Sequence, residues 1–161
     1  MRFVADNTVG RLRRWMSLLG YDIVYAPRSA REILKDWRDP ICRERRAVLG
    51  RCPSLAGLEA LAVFHVFTHI ESPVLAEQLR QVAALFPLDF RTTLFSRCGG
   101  CNVTLGEPVD PESLRDEAPP LVLKHGRDFR RCPACQKLYW RGSHTENIER
   151  FLKQKVGLEW R

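Results

Sequence analysis

Two short segments, SRCGGCN (96–102) and RRCPACQKLYW (130–140), decide how this chain is read. Each carries a Cys-x-x-Cys pair, Cys98/Cys101 and Cys132/Cys135, with thirty residues between the pairs. A tight turn can present both thiolates of such a pair to one ion. Four thiolates at about 2.3 Å complete a tetrahedral zinc shell with no open position, which is the arrangement of a structural site. The competing reading is a redox pair, which sits between a strand and a long helix. Pro133 and the polar Gln136-Lys137 suit a knuckle turn better. His144 is the nearest alternative ligand, but it reads more naturally as a ribbon-surface residue or a cap of the last helix. His125 stands in a polar turn and reads as solvated.

Upstream of the pairs, short apolar runs alternate with helical spacing. RFVA (2–5) reads as a buried strand ending at Asp6. Val9, Leu12, Trp15, Met16 and Leu19 then recur at helical intervals up to Gly20. YDIVY (21–25) reads as a second strand, 30–37 as a helix, 42–46 as a polar helical stretch, and Ala47–Leu49 as a third strand. Residues 54–62 read as a short helix, 62–70 as the clearest strand, and 73–86 as a helix. This alternation predicts an α/β sandwich with a mainly parallel sheet. Past Pro87 the chain changes character, with strand-like 90–95, a proline-rich loop, a short apolar run at 121–123 and a final helix over about 144–156. The expected organisation is residues 1–90 as one domain and 91–161 as a zinc ribbon with a C-terminal helix.

The formal charge is +7 and Arg supplies 21 of the 26 cations. Guanidinium suits bidentate phosphate contact and base stacking. Charge alone leaves a nucleic-acid partner and a merely solvated surface as equal readings. No run of about 18 apolar residues offers a membrane span, and MRFVADNTVG lacks the apolar stretch of a signal peptide. A cytoplasmic, reducing location is the default expectation, in which paired cysteines bind metal. Cys42 and Cys52 share no knuckle spacing and read as free thiols. His65 and His69 fall on one face of the fourth strand and read as partly exposed sheet residues.

The string FVADNTVGRLRRWMSLLGYDIVY (3–25) resembles the start of the Mut-seven C-terminal RNase family. The resemblance resumes at AEQLRQV (76–82), FSRCGGCNVTL (95–105) and RRCPACQKLYWRGSH (130–144). Arg97, Asn102, Tyr139-Trp140 and Gly142-Ser143-His144 around the cysteines are its most specific part. It implies a PIN-like three-layer α/β sandwich followed by a zinc ribbon, and metal-dependent RNA cleavage by converging carboxylates that hold magnesium or manganese. Asp6 stands where the family's first acid stands. An acidic pair is expected near Ser29-Ala30-Arg31, where Glu32 is the nearby carboxylate. The family's Leu-Thr-Arg-Asp becomes Leu49-Gly50-Arg51-Cys52. Pro73-Val74 replaces a further Asp, with Glu71 and Glu77 the closest substitutes; Asp22, Asp36 and Asp39 are other nearby acids. Asp6 has a second reading as the N-terminal cap of the first helix.

The expected function is RNA binding through an Arg-rich groove between the two modules. Arg11 and Arg14 share a helix face, Arg51, Arg97, Arg131 and Arg141 border the motifs, His144 closes the last one, and Tyr139 and Trp140 offer stacking surfaces. One of these two aromatics is expected in the ribbon core. An active endoribonuclease acting through Asp6 and Glu32 is the direct rival, and a scaffold that docks a protein partner is the third reading.

Overall fold

The computed structural model describes residues 1–35, 44, 46–53, 67–86, 88 and 93–158. RFVA forms β1 (Arg2–Ala5), and Phe3, Val4 and Ala5 are all buried, as in a strand covered on both faces. α1 (Gly10–Leu18) follows, burying Leu12 and Met16. Each such side chain contributes roughly 1.5–3 kcal/mol relative to exposure. Next come β2 (Asp22–Tyr25), α2 (Ala30–Lys35), β3 (Ala47–Gly50), β4 (Phe67–His69) and α3 (Leu75–Leu85).

The four strands form one parallel sheet in the order β2-β1-β3-β4, with Val4 beside Val24 and Val48, and Val48 beside Phe67. Strand alternation then splits the core. Phe3, Ala5, Ile23 and Leu49 pack with Leu12 and Met16 of α1 and Leu79 and Val82 of α3. Val4, Val48 and Phe67 face the other way, onto Ala30 and Ile33 of α2. The outcome is the expected three-layer α/β arrangement with a parallel sheet.

The second half begins with a 3-10 turn (Pro111–Leu114) and α4 (Pro120–His125). An antiparallel pair, β5 (Arg127–Arg131) and β6 (Leu138–Arg141), follows. α5 (Ser143–Phe151) continues through a wider π turn (Leu152–Val156) to Gly157 in the left-handed region. Ile148, Leu152 and Val156 join the core cluster of α1 and α3, and the rings of Trp15 and Phe151 lie 4.7 Å apart. The last helix therefore packs back onto the first core.

The chain closes α1 from outside. The Leu19 and Leu18 carbonyls accept from Thr93 Oγ1 (2.6 Å) and the Phe95 N–H (2.7 Å), and the Gly20 carbonyl accepts from Arg97 Nε (3.2 Å). These are C-terminal helix groups that need partners. Gly20 has φ +86°, and a Cβ there would fall 1.9 Å from the Thr93 carbonyl oxygen, so glycine is required by both conformation and space. This capping explains one correction. The strand expected over 90–95 is not formed at Thr93–Phe95, which turn back over the helix end, with Phe95 at φ +60°.

The expectations at 36–43, 54–66 and 89–92, with His65, Cys42, Asp36 and Asp39, lie outside the described residues. Asp22 meets Arg46 at 2.6 Å; Arg46 is buried and also holds Glu44 and the Phe3 carbonyl. Burial opposes the Asp22 charge, but the Arg46 guanidinium outweighs it and holds the carboxyl below its ordinary range. No helix among the described residues is long and apolar enough to cross a membrane.

Candidate metal centre and nucleic-acid interface

The two Cys pairs fold into equivalent knuckles. In the first, Cys98 N donates to Val103 O and Asn102 N to Cys98 O; in the second, Cys132 N donates to Lys137 O and Gln136 N to Cys132 O. The residue after each pair adopts the left-handed region, Asn102 at φ 61° and Gln136 at φ 62°. Asn adopts this region more readily than most non-glycine residues. The knuckles bring Cys98, Cys101, Cys132 and Cys135 together, with all four Sγ atoms within 4.8 Å of one another. Cys98 Sγ and Cys135 Sγ are 3.8 Å apart, about the edge of a tetrahedron with 2.3 Å metal–sulfur bonds.

The charge distribution in the cluster favours a cation. Burial opposes ionisation of Cys98, yet the Cys101 N–H, the Tyr139 hydroxyl and the Gly100 N–H bring it down to about 6. Its neighbour Cys101 is pushed up to about 12, first by its contact with Cys135 and then by Cys98. One thiolate thus suppresses the next, and a central divalent ion removes that penalty. Four close cysteines of this geometry can hold a metal such as zinc. Tyr139 supports the first knuckle: its hydroxyl lies 3.1 Å from Cys98 Sγ and accepts from Gly99 N at 3.1 Å.

Asn102 belongs to the first cysteine motif, and its side chain ties that knuckle to β2 and α1. Its Oδ1 accepts from Ile23 N (3.1 Å), and its Nδ2 donates to Tyr21 O (2.8 Å) and Ser17 Oγ (2.7 Å). The carboxamide thus pairs with the edge of β2 as another strand would. Arg97 Nη1 donates to the Asn102 carbonyl at 2.7 Å, and Arg13 donates to the carbonyls of Gly99 and Gly100. These polar bonds stitch the first knuckle to the sheet, beside the apolar packing of α5 on the first core, and composition gives no sign of them.

Between α1, the first knuckle, the β5–β6 hairpin and α5 lies a cavity of about 660 Å³. Its apolar lining includes Leu18, Phe95, Leu105, Trp140 and Ile148. Arg14, Arg130, Lys137, Arg141 and His144 supply basic groups around it, with Asp128 the one carboxylate. Arg14 and His144 make no side-chain hydrogen bond or ion pair among the described residues. Arg141 lies 5.8 Å from the Phe95 ring centre and 3.7 Å from Asp128, which also binds Arg130 at 2.8 Å. Trp140 is 39% exposed, whereas Tyr139 is half-buried. The other basic residues differ. Arg97 is spent on backbone carbonyls, and Arg131 binds Glu117 (2.6 Å) and the Gln136 carbonyl (2.9 Å). Arg11 is exposed one turn before Arg14, at the far end of α1 from the knuckle.

Asp6 sits at the other end of α1. It follows β1, is 1% exposed, and lies beside the end of β3, where the strand order reverses. Open α/β sheets bind ligands at that point. Asp6 does not cap α1: the cap residue is Val9, with no side-chain bond. Asp6 Oδ1 instead accepts from Thr8 N (2.8 Å) and Thr8 Oγ1 (2.5 Å), and Thr8 Oγ1 accepts from Arg51 N (2.8 Å). Register places Asp6, Gly50 and His69 in one row across the sheet edge, since Ala5 pairs with Leu49 and Gly50 with His69. A Cβ on Gly50 would lie 2.3 Å from Asp6 Oδ2. Gly50→Ala should therefore displace the carboxylate and cost about 1–3 kcal/mol. The check is thermal unfolding, with a drop of about 2 °C or more expected; an unchanged midpoint would refute the close contact.

Glu32 is exposed and bonded to Ser29 N (2.9 Å) and Ser29 Oγ (2.6 Å), a reciprocal box at the start of α2. Those bonds from Ser29 lower its pKa. Glu77 is held by Ser72 Oγ, and Glu71 is exposed. Cys52 is half-buried and packs against the α2-side core. Among the described residues, the cysteine set is the one group of three or more His, Cys, Asp or Glu side chains close enough to share an ion.

A family model described as the Mut7-C RNAse domain matches residues 1–152. No curated protein and no solved structure shows significant similarity to the chain.

Proposed function

Because this chain belongs to the Mut7-C RNAse domain family, we propose that it binds RNA along α1 and the ribbon, with metal-dependent cleavage weak or absent. The family supports a ribonuclease-like or RNA-related function. The observation carrying the finer reading is the cavity beside α1, where basic side chains outnumber the single carboxylate Asp128. Arg11 and Arg14, three residues apart on α1, extend that charge toward Asp6. Arg51 stands beside Thr8 at the sheet edge. Arg97 and Arg131 act in this reading by fixing the knuckles.

We assign zinc to the four-thiolate site, since an all-sulfur tetrahedral set suits it. Cys98, Cys101, Cys132 and Cys135 would hold it, and its contribution is structural. Magnesium or manganese would have Asp6 as its protein ligand, with Glu32 as the nearest helper by sequence. Such ions take six or more oxygen ligands, and a single carboxylate retains them weakly.

The rival, an active endoribonuclease, draws support from the burial of Asp6 at the point where strand order reverses. Incubating labelled RNA with the full chain in magnesium and in manganese, beside Asp6→Ala, separates the two. The expected result is uncut RNA bound with an affinity that falls with salt, by a slope of about 0.7 per phosphate contacted on a single strand. Cleavage that disappears in Asp6→Ala would establish the nuclease instead. Salt-independent behaviour with no RNA affinity would leave the protein-docking reading.

A further inference from the structure

We propose that the cavity between α1 and the ribbon accepts one unpaired nucleotide, its base against the apolar wall and its phosphate on the basic rim, so that the protein selects RNA with an unstacked base. The inference rests on the RNA-binding reading and adds the kind of RNA recognised. At about 660 Å³ the cavity falls within the roughly 300–1,000 Å³ range of small-ligand pockets. A duplex groove presents stacked bases edge-on and cannot fill such a recess, whereas a splayed base enters face-on.

The lining carries both halves of the required chemistry. Phe95 and Trp140 provide aromatic surface, and Leu18, Leu105 and Ile148 close the wall. Trp140 stands with its ring 6.5 Å from that of Phe129 and remains 39% exposed, held on one side and open elsewhere. The Arg141 guanidinium over Phe95 adds a second planar cation. Arg14 and His144, exposed and without a side-chain bond among the described residues, can meet a phosphate. Charge complementarity selects an anion, and the aromatic wall selects a flat one. A nucleotide satisfies both, whereas an acidic peptide satisfies the first alone.

The test uses the zinc-loaded full chain and two RNAs, a blunt ten-base-pair duplex and the same duplex with a one-nucleotide bulge. Binding is followed by fluorescence anisotropy at two salt concentrations. The bulged duplex should bind about ten-fold or more tightly, the scale of one base stacking on an aromatic side chain. Trp140→Ala should erase the difference between the two RNAs, and Trp140→Phe should preserve it. Zinc content reports whether each variant keeps its knuckles, and because the chain has four tryptophans, the contact is reported by the part of the quenching by bulged RNA that disappears in Trp140→Phe. Equal, salt-dependent binding of both RNAs by the wild type, with no quenching, would overturn the nucleotide pocket and leave RNA binding standing. Failure to bind either RNA would overturn both.

Discussion

Stripping the metal from the four cysteines unfolds the ribbon and leaves the parallel sheet in place. This is the largest expected effect, because binding free energy at a structural four-ligand site is about 10–16 kcal/mol and serves as folding free energy. Apart from α5, which packs on the first core, the second half has little apolar packing to hold it. Its separate apolar clusters are small: Cys98, Leu105 and Cys132 with Tyr139 in one, and Leu114, Ala118 and Phe129 in the other. The sheet has independent support from the cluster of Phe3, Leu12, Met16, Leu49 and Leu79. Amide exchange after chelation should show fast exchange at Cys98–Asn102 and Cys132–Gln136 and continued protection in β1 and β3. Cys132→Ser should behave likewise. Retained protection across both knuckles after complete metal removal would refute the structural role.

Asn102→Ala is expected to separate ribbon from sheet at a cost of about 3–5 kcal/mol. Four side-chain bonds are lost, a long one from Arg97 Nη1 (3.4 Å) among them, and the buried Ile23 N–H and Tyr21 carbonyl lose these partners at about 1–3 kcal/mol each. Alanine at φ 61° adds strain of about 1 kcal/mol or more. The melting midpoint should fall by roughly 10 °C. Metal stoichiometry should stay at one, because Asn102 supplies no ligand. A variant that melts like the wild type would show that the seam is held by apolar packing of α5 instead.

Much of this was open to inspection in the linear chain. RFVA, YDIVY and the first helix appear within a residue or so of their expected bounds, because a strand buried on both faces must be continuously apolar and a helix covering it must repeat near 3.6 residues. Thr93–Phe95 were misread. Their β-like composition gave way to the need to cap α1, a demand set by groups more than seventy residues away in sequence. The second reading of Asp6 failed similarly. A helix-capping residue and a sheet-edge acid look alike in sequence; here Val9 takes the cap position and Asp6 bonds Thr8 instead.

The metal site and the arginines show where the boundary lies. Sequence alone determined the four-cysteine centre, since a knuckle closes its bonds within six residues and spacing fixes where the thiolates point. Tertiary structure decided which cations line the cavity. Arg97 and Arg131 looked no different from Arg14 and Arg141 in the chain, yet the first two are taken up by Gly20, Asn102 and Glu117. Arg14 and Arg141 stand at the cavity instead. A guanidinium reaches whatever acceptor the fold brings near, and that acceptor is set by distant segments meeting in space.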